Sequence, residues 1–483
     1  MKRGTSIARA RRSIAGALLA FFTATQPVQA SVDADEGAAV ARLLSERGQT
    51  STAASLPTAS RQEEAEIARL LREPLTAAAA VRLALLQHRG VRAALIALGI
   101  PRGQLLTAGL PPNPEVEISL RAPQSAQPLQ AEIGVDYEIS ALILLPLRRS
   151  AARSELQAER LRAASTILSI AYAARQAFYD VAAALEQQAL RQRALQVAEA
   201  AYAVRAELAR VGNIPTLDLQ QERAALESAR LDVNEAELSA QQARQGLNAA
   251  LGLVGAQTGW SLAPDVLALP PDGVDGADGA DAENEQRVIE ASLELAALRS
   301  QASGAEGRAR MLRVAGALPH LGAGFHGEHD GSAWELGGHV SLSLPLLNQG
   351  QGAVAAARAE SRSLRERLVA SEAVLRARLR SAQAQLRLSR SRAQILRDGV
   401  LPARQQALRE LQLQYNGMQV SVFQLLDARR ALFDAQAAQV DATRQAQQAR
   451  ALLDLLLAGG SADVGGGSPR ALGRSSASST EAH

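Results

Sequence analysis

The sequence contains no cysteine, which excludes disulfides, cysteine-held zinc or iron–sulfur clusters, thiol catalysis and lipidation of an N-terminal cysteine after processing. Aromatic residues make up only 3 %, and Lys2 is the only lysine. Hydrophobic residues nonetheless reach 47 %, and much of that total is alanine. Alanine has high helix propensity and lets helix axes approach closely, so the composition predicts thin, tightly packed helices rather than thick globular cores. The formal net charge of +3 is small for 483 residues. The arginines alternate with glutamates and glutamines along helical stretches, which describes a solvated helix surface and speaks against nucleic-acid binding. There is no phosphate-cradling glycine loop, nucleophilic triad or carboxylate pair tied to a pocket, so the reading is of a non-enzyme with no cofactor and no resident metal.

Lys2, Arg3, Arg9, Arg11 and Arg12 precede the apolar run Ile14–Phe22, and Val28-Gln29-Ala30 offers small residues where a signal peptidase reads. Residues 1–30 therefore read as a signal peptide cleaved after Ala30. No later stretch approaches the roughly 20 uninterrupted apolar residues of a membrane-spanning helix.

The remaining chain is laid out twice. In the first unit, Pro111-Pro112-Asn113-Pro114 stops a helical region that includes Val81 to Leu98. Val116, Ile118 and Leu120 then alternate with Glu117 and Ser119, the period of a half-buried strand. After a turn at Ala122–Pro128, the alternation Ile133, Val135, Tyr137, Ile139, Ala141, Ile143, Leu145 predicts a second strand that leaves at Leu145-Pro146-Leu147. In the second unit, Leu321, Ala323 and Phe325 form a weaker strand and His326–Gly331 a predicted loop. The alternation from Trp334 to Leu344 then exits at Leu344-Pro345-Leu346. Pro146 and Pro345 are thus the expected strand-to-helix exits.

Long helical patterns follow, from Leu147 to Ile214 and from Leu346 to Leu401, and an uninterrupted helix of about 60 residues reaches roughly 90 Å. Ile167, Ile170, Ala171, Ala174, Phe178, Val181 and Leu185 recur at three- and four-residue spacing as one packing stripe. Turns fall at Val211–Thr216 and Tyr415–Met418, with returning helices at Leu217–Leu251 and Val420–Leu457. The expected divisions are 1–30, signal peptide; 31–73, N-terminal extension; 74–261, first repeat; 262–284, a Pro- and Gly-rich linker; 285–458, second repeat; and 459–483, a disordered tail.

A sheet with one apolar face can pack against helices in a soluble domain, as in an exported coiled-coil adaptor or scaffold, which is the rival reading. In a bilayer the same sheet must close, because backbone N–H and C=O groups cannot stay unpaired there. Four strands are too few for an open pore. Several chains could share a barrel and bury their helix stripes together.

The order and duplication of these segments carry a family resemblance over about Leu71–Leu457. Gly90-Val-Arg-Ala-Ala through Gly109-Leu-Pro-Pro-Asn-Pro114, the Leu-Pro-Leu exits, and the tips Ala209–Leu219 and Tyr415–Arg430 together resemble the TolC-type outer-membrane efflux proteins. The resemblance implies a mixed α/β membrane protein. It would be a homotrimer whose 12-stranded outer-membrane β-barrel, four strands per chain, continues into a long periplasmic α-helical barrel. It also implies contact with outer-membrane lipid, a periplasmic adaptor that opens the helical tips, and an inner-membrane efflux pump, for which proton drive is one option. By position, Gly212, Asn213, Pro215, Gly417 and Met418 become adaptor-contact tips, and Asp218, Gln424 and Asp427 the periplasmic gate. Gln424 departs from the family by standing where a second acidic gate residue is expected. The wording Gly212-Asn-Ile-Pro215 looks like the branch serving heavy-metal pumps.

His320, His326, His329 and His339 all fall in the second strand pair, with Glu328 and Asp330 beside two of them. Imidazole suits transient metal binding, but no ligand geometry is legible, and polar loop or barrel-facing roles account for the same residues.

Overall fold

The computed structural model describes residues 29–57, 61–121, 130–264, 266–270, 281–330 and 334–461. Residues 1–28 of the signal peptide, the turn at 122–128, residues 271–280 of the linker and the tail from 462 lie outside the described residues.

Three helices open the chain, α1 (Gln29–Glu46), α2 (Thr50–Ala54) and α3 (Arg61–Arg72). They are followed by α4 (Ala77–Gln87), α5 (Arg89–Ala97) and α6 (Gly99–Gly109). Local chemistry sets these boundaries. The Thr76 hydroxyl accepts from Ala79 N–H at 3.2 Å and starts α4, while His88 ends α4 and caps α5 by accepting from Gly90 N–H at 3.0 Å. The N-terminal extension docks by Val40 and Leu44, both fully buried against Leu161, Ile167 and Leu293. Glu36 is buried with them and accepts from Arg160 at 2.7 and 2.8 Å and from Arg102 at 3.3 Å, so its charge is matched.

Strands β1 (Glu115–Arg121) and β2 (Gln130–Glu138) lead into α7 (Ser140–Arg210), which returns as α8 (Thr216–Leu251). The second unit comprises α9 (Asp281–Ala291), α10 (Leu293–Ala317), β3 (His320–Asp330) and β4 (Trp334–Ser343). It continues as α11 (Gln351–Gln394), α12 (Leu401–Asn416) and α13 (Val422–Leu457). Its 71 residues make α7 roughly 105 Å long. The stripe expected along α7 is the buried one: Ile167, Ala174, Phe178 and Val181 are fully enclosed. Phe178 meets Leu247 and Leu251 of α8, and Trp260 closes the same cluster by donating to the Asn248 side chain at 2.8 Å. Leu379 of α11 packs with Leu295 of α10 and Leu453 and Leu456 of α13, joining the second unit in the same way.

The four strands form one antiparallel sheet in the order β1-β2-β3-β4, with Val135, Phe325 and Gly338 in one row. Side-chain alternation separates its faces. Val116, Ile118, Leu120, Ile133, Val135, Phe325, Leu336, Val340 and Leu342 share one face, and all are exposed. Glu117, Glu132, Asp136, His326, Glu328, Glu335 and His339 share the other. Strands β1 and β4 are edges, each paired on one side among the described residues.

Three expectations are corrected. First, β2 stops at Glu138, with Ile139 N–H making a last bond to Leu321 O at 2.9 Å, so Pro146 lies inside α7 and is no strand exit. The run Ala141-Leu-Ile-Leu-Leu145 is apolar at every position, so it fits either period, and burial of Ala141 and Leu144 shows the helical one prevailing. Pro345, by contrast, does follow the last residue of β4 closely and precedes α11. Second, His326–Asp330 belongs to β3, where the backbone of His326–His329 pairs with both β2 and β4 and Asp330 with β2. Third, the second long helix does not stop before Pro402. A π-helical turn at Ile395–Val400 leads straight into α12, and the wider turn accommodates a residue that has no N–H to give.

The early linker is also docked: Leu75 and Leu262 form a parallel bridge, and Leu262 and Val266 pack beside Trp260. Among the described residues, no single helix is long and apolar enough to cross a membrane.

Candidate functional site

Both helical hairpins end in the same backbone turn. At the first tip, Val211, Gly212 and Asn213 donate to the carbonyls of Glu207, Ala209 and Leu208. At the second, Gly417, Met418 and Gln419 donate to those of Leu413, Tyr415 and Gln414. Each turn needs one residue in the left-handed region, which is Gly212 at φ +79° in the first and Met418 at φ +59° in the second. Gly417, at φ −83°, corresponds to Val211 and supplies no special conformation. Gly212, Asn213, Pro215, Gly417 and Met418 are all exposed.

The turn correspondence also pairs Asp218 with Gln424, each third in its helix. Asp218 lies in the first turn of α8, where the helix dipole favours an anion, with Arg205 of α7 4.0 Å away. Gln424 is engaged in a capping box: its side chain accepts from Ser421 N–H at 3.2 Å, while Ser421 Oγ accepts from Gln424 N–H at 3.4 Å. Asp427 stands exposed one turn on and accepts from Arg430 at 3.5 Å.

What joins these positions is Glu222, which the sequence reading missed. Its carboxylate is buried between α7, α8 and α13 and meets Arg205 Nε at 2.8 Å and the Arg430 guanidinium. Arg205 also lies over the Phe423 ring, 3.8 Å from its centre. The result is a charge chain, Asp218–Arg205–Glu222–Arg430–Asp427, that fastens the two hairpins to each other just behind their tips. Its sequence signal was the i,i+4 spacing of Asp218 and Glu222 and the i,i+3 spacing of Asp427 and Arg430.

At the opposite end, the polar face of the sheet gathers carboxylates and imidazoles. His339 Nε2 lies 2.8 Å from Asp136 Oδ1, and the two side chains meet directly above Gly324 of the intervening strand. A Cβ on Gly324 would overlap both of them. His326 lies over Gly337 in the same way, its ring 5.9 Å from that of His339, whereas His329 is on the apolar face against Trp334. Among the described residues no group of three or more His, Asp or Glu side chains is arranged to hold a metal ion.

The long helical hairpins and the small four-stranded sheet recur in solved structures. A membrane protein from Pseudomonas aeruginosa superposes with a TM-score of 0.66 at 20 % identity, covering 81 % of this chain and 92 % of that one. The chain has the fold of the TolC-type outer-membrane efflux proteins. The open state of the MtrE outer membrane channel from Neisseria gonorrhoeae matches with a TM-score of 0.63 at 18 % identity, over 81 % of this chain and 89 % of that one. In sequence, the cobalt-zinc-cadmium resistance protein CzcC of Cupriavidus metallidurans is 25 % identical over 389 residues, 80 % of this chain and 90 % of that protein. No protein-family model matches the chain.

Proposed function

We propose that the protein is the outer-membrane channel subunit of a tripartite efflux system, conducting substrates passively from an inner-membrane pump and a periplasmic adaptor to the cell exterior. The observation that carries this reading is the sheet: one face is apolar and exposed along all four strands, the other is polar, and both edges are open. A sheet of this kind can enter lipid only if other copies close it. Three copies would give the 12-stranded barrel, turning the apolar face to lipid and the polar face to a lumen, with α7 and the α11–α12 helix continuing the wall through the periplasm. The exposed tips at Gly212–Pro215 and Gly417–Met418 are the surfaces offered to the adaptor. The charge chain centred on Glu222 holds the hairpins in a defined relative position at the entrance.

The likeness to CzcC favours divalent metal cations as cargo. A polar sheet face rich in carboxylates and imidazoles suits their passage, because it attracts cations without enclosing them.

The test is to extract the protein from outer membranes and reconstitute it in planar bilayers. Heat-modifiable trimers that give discrete, cation-preferring conductance steps are expected. A soluble monomer released from the periplasm, with no conductance, would instead establish the scaffold reading.

A further inference from the structure

Between α10 and α11, just beneath the sheet, lies an open groove of about 370 Å³ lined by Arg310, Arg313, Arg358, Arg362 and Arg365. The only carboxylate in its wall is Glu306, which is taken by Arg365 at 2.8 Å. Arg310, Arg313, Arg358 and Arg362 are exposed and have no carboxylate partner among the described residues. Four unmatched guanidiniums around one groove repel each other unless something anionic lies among them.

The groove has a definite height and side. Arg313 stands about two helical turns, roughly 10 Å, below the first residue of β3, and Arg310 one turn deeper. On α10, Gly304 and Gly307 face α7, while the Ala302 carbonyl accepts from Ser361 of α11 and Gly316 faces Gln349, just ahead of that helix. At about 100° per residue, Arg308 therefore emerges on one side of the helical layer and Arg310 and Arg313 on the other. The hand of the sheet distinguishes the two sides. Leu321 accepts from Ile139, so on β3 the residues of the apolar face direct their backbone groups toward β2. With that order of strands and a right-handed α10 below them, Arg310 and Arg313 come out on the side of the apolar sheet face. Arg308, paired with Glu360 at 2.9 Å, comes out on the side of the polar one.

We propose that this arginine groove binds the phosphate of an anionic phospholipid headgroup in the periplasmic leaflet of the outer membrane. The inference rests on the barrel reading above, and it adds a specific ligand to it. Guanidinium groups match phosphate oxygens in pairs, and the apolar face immediately above offers the acyl chains a surface continuous with the bilayer. The groove fixes the depth at which the barrel sits and the lipid that surrounds its base.

The experiment uses the full-length protein in bilayer nanodiscs containing equal parts phosphatidylglycerol and phosphatidylcholine, followed by gentle release and native mass spectrometry of the lipids it retains. Retention of phosphatidylglycerol over phosphatidylcholine by about tenfold is expected, the ratio that one or two such contacts supply. The variant R310Q/R313Q/R358Q/R362Q is expected to lose the preference, its lysine counterpart to keep most of it, and R308Q to leave it unchanged. Equal retention of the two lipids by the wild type would overturn the proposal. So would displacement of the retained phosphatidylglycerol by millimolar inorganic phosphate, which assigns the groove to a free anion. Loss of the trimer in the glutamine variant with its lipid preference intact would also overturn it, by assigning the arginines to an acidic surface of a neighbouring copy. A wild-type protein that enters no bilayer at all would refute the channel reading, whereas one that conducts without preferring anionic lipid refutes only the groove.

Discussion

Met418 holds at the second hairpin tip the backbone position that Gly212 holds at the first, with the same three turn hydrogen bonds and a left-handed φ. A side chain there clashes with its own backbone, at a cost of order 1 kcal/mol. Met418→Gly is therefore expected to stabilise the second hairpin by about 1 kcal/mol, less the added freedom of the unfolded chain, and Gly212→Ala to destabilise the first by a similar amount. Gly417→Ala is expected to be close to neutral, since its Cβ would meet only ordinary contacts with Gln414 O and Leu413 O. Thermal unfolding of the three variants checks this ranking, and a large loss for Gly417→Ala with none for Gly212→Ala would contradict it.

Glu222 is the one anion between Arg205 and Arg430, and it is buried. Replacing it with glutamine leaves two guanidiniums facing each other across a partly dry contact, at a cost of order 3 kcal/mol to the docking of α8 on α13. Because this contact sits behind the tips, the expected consequence is a looser entrance. The open probability in planar bilayers should rise several-fold in Glu222→Gln while the conductance of a single open step stays the same. An unchanged open probability would show that the charge chain does not restrain the hairpins.

Periodicity made the layout legible. The stripe through Ile167, Ala174 and Phe178 and the alternation through Ile133, Val135 and Tyr137 appear where the sequence places them, because each face meets one environment along its length. Legibility ended where a segment was apolar on every side, as at Ala141–Leu145, where strand and helix periods cannot be told apart. It also failed at His326–His329, whose polar composition reads as loop although its backbone is paired on both sides. At the tips, glycine was the wrong guide to the second turn, since Met418 takes the strained position while Gly417 stands beside it. Glu222 was missed for a different reason: its partners Arg205 and Arg430 are brought to it by tertiary packing, and sequence spacing ties it only to Asp218, a like charge that names neither partner.

Asp218 and Asp427 differ in how much of their charge remains available. Asp218 is held in the first turn of α8 near Arg205, whereas Asp427 is largely exposed and makes one long contact to Arg430. Neutralising Asp427 to asparagine should therefore reduce the cation preference of the pore more than neutralising Asp218, with the difference shrinking as ionic strength rises. Reversal potentials in a salt gradient measure this. Equal effects of the two substitutions would mean that both carboxylates face the conducting path alike.

Gly324 leaves space for the Asp136–His339 contact that crosses β3. A methyl group there overlaps both side chains, so Gly324→Ala should lift them off the sheet and into the space beside its polar face. If that space is the lumen, the conductance of the open step falls. Asp136→Ala in the Gly324→Ala background should restore part of it, because it removes one of the two displaced groups. A Gly324→Ala channel with wild-type conductance would place this face away from the conducting path.

Burial pushes the phenols of Tyr172 and Tyr179 above the ordinary tyrosine value near 10; at Tyr179, Arg175 opposes the shift and Asp454 adds to it. The folded protein thus holds these protons more tightly than the unfolded chain does. Their contribution to stability is complete below the unfolded value and is lost as pH rises through the raised folded values. The near-ultraviolet tyrosinate signal should accordingly appear later in alkaline titration of the native protein than of the denatured chain. Tyr179→Phe should shift the onset of alkaline unfolding to higher pH, because it removes a group that must ionise inside the packed helices. Identical titration of the native and denatured forms would show that water reaches both phenols freely.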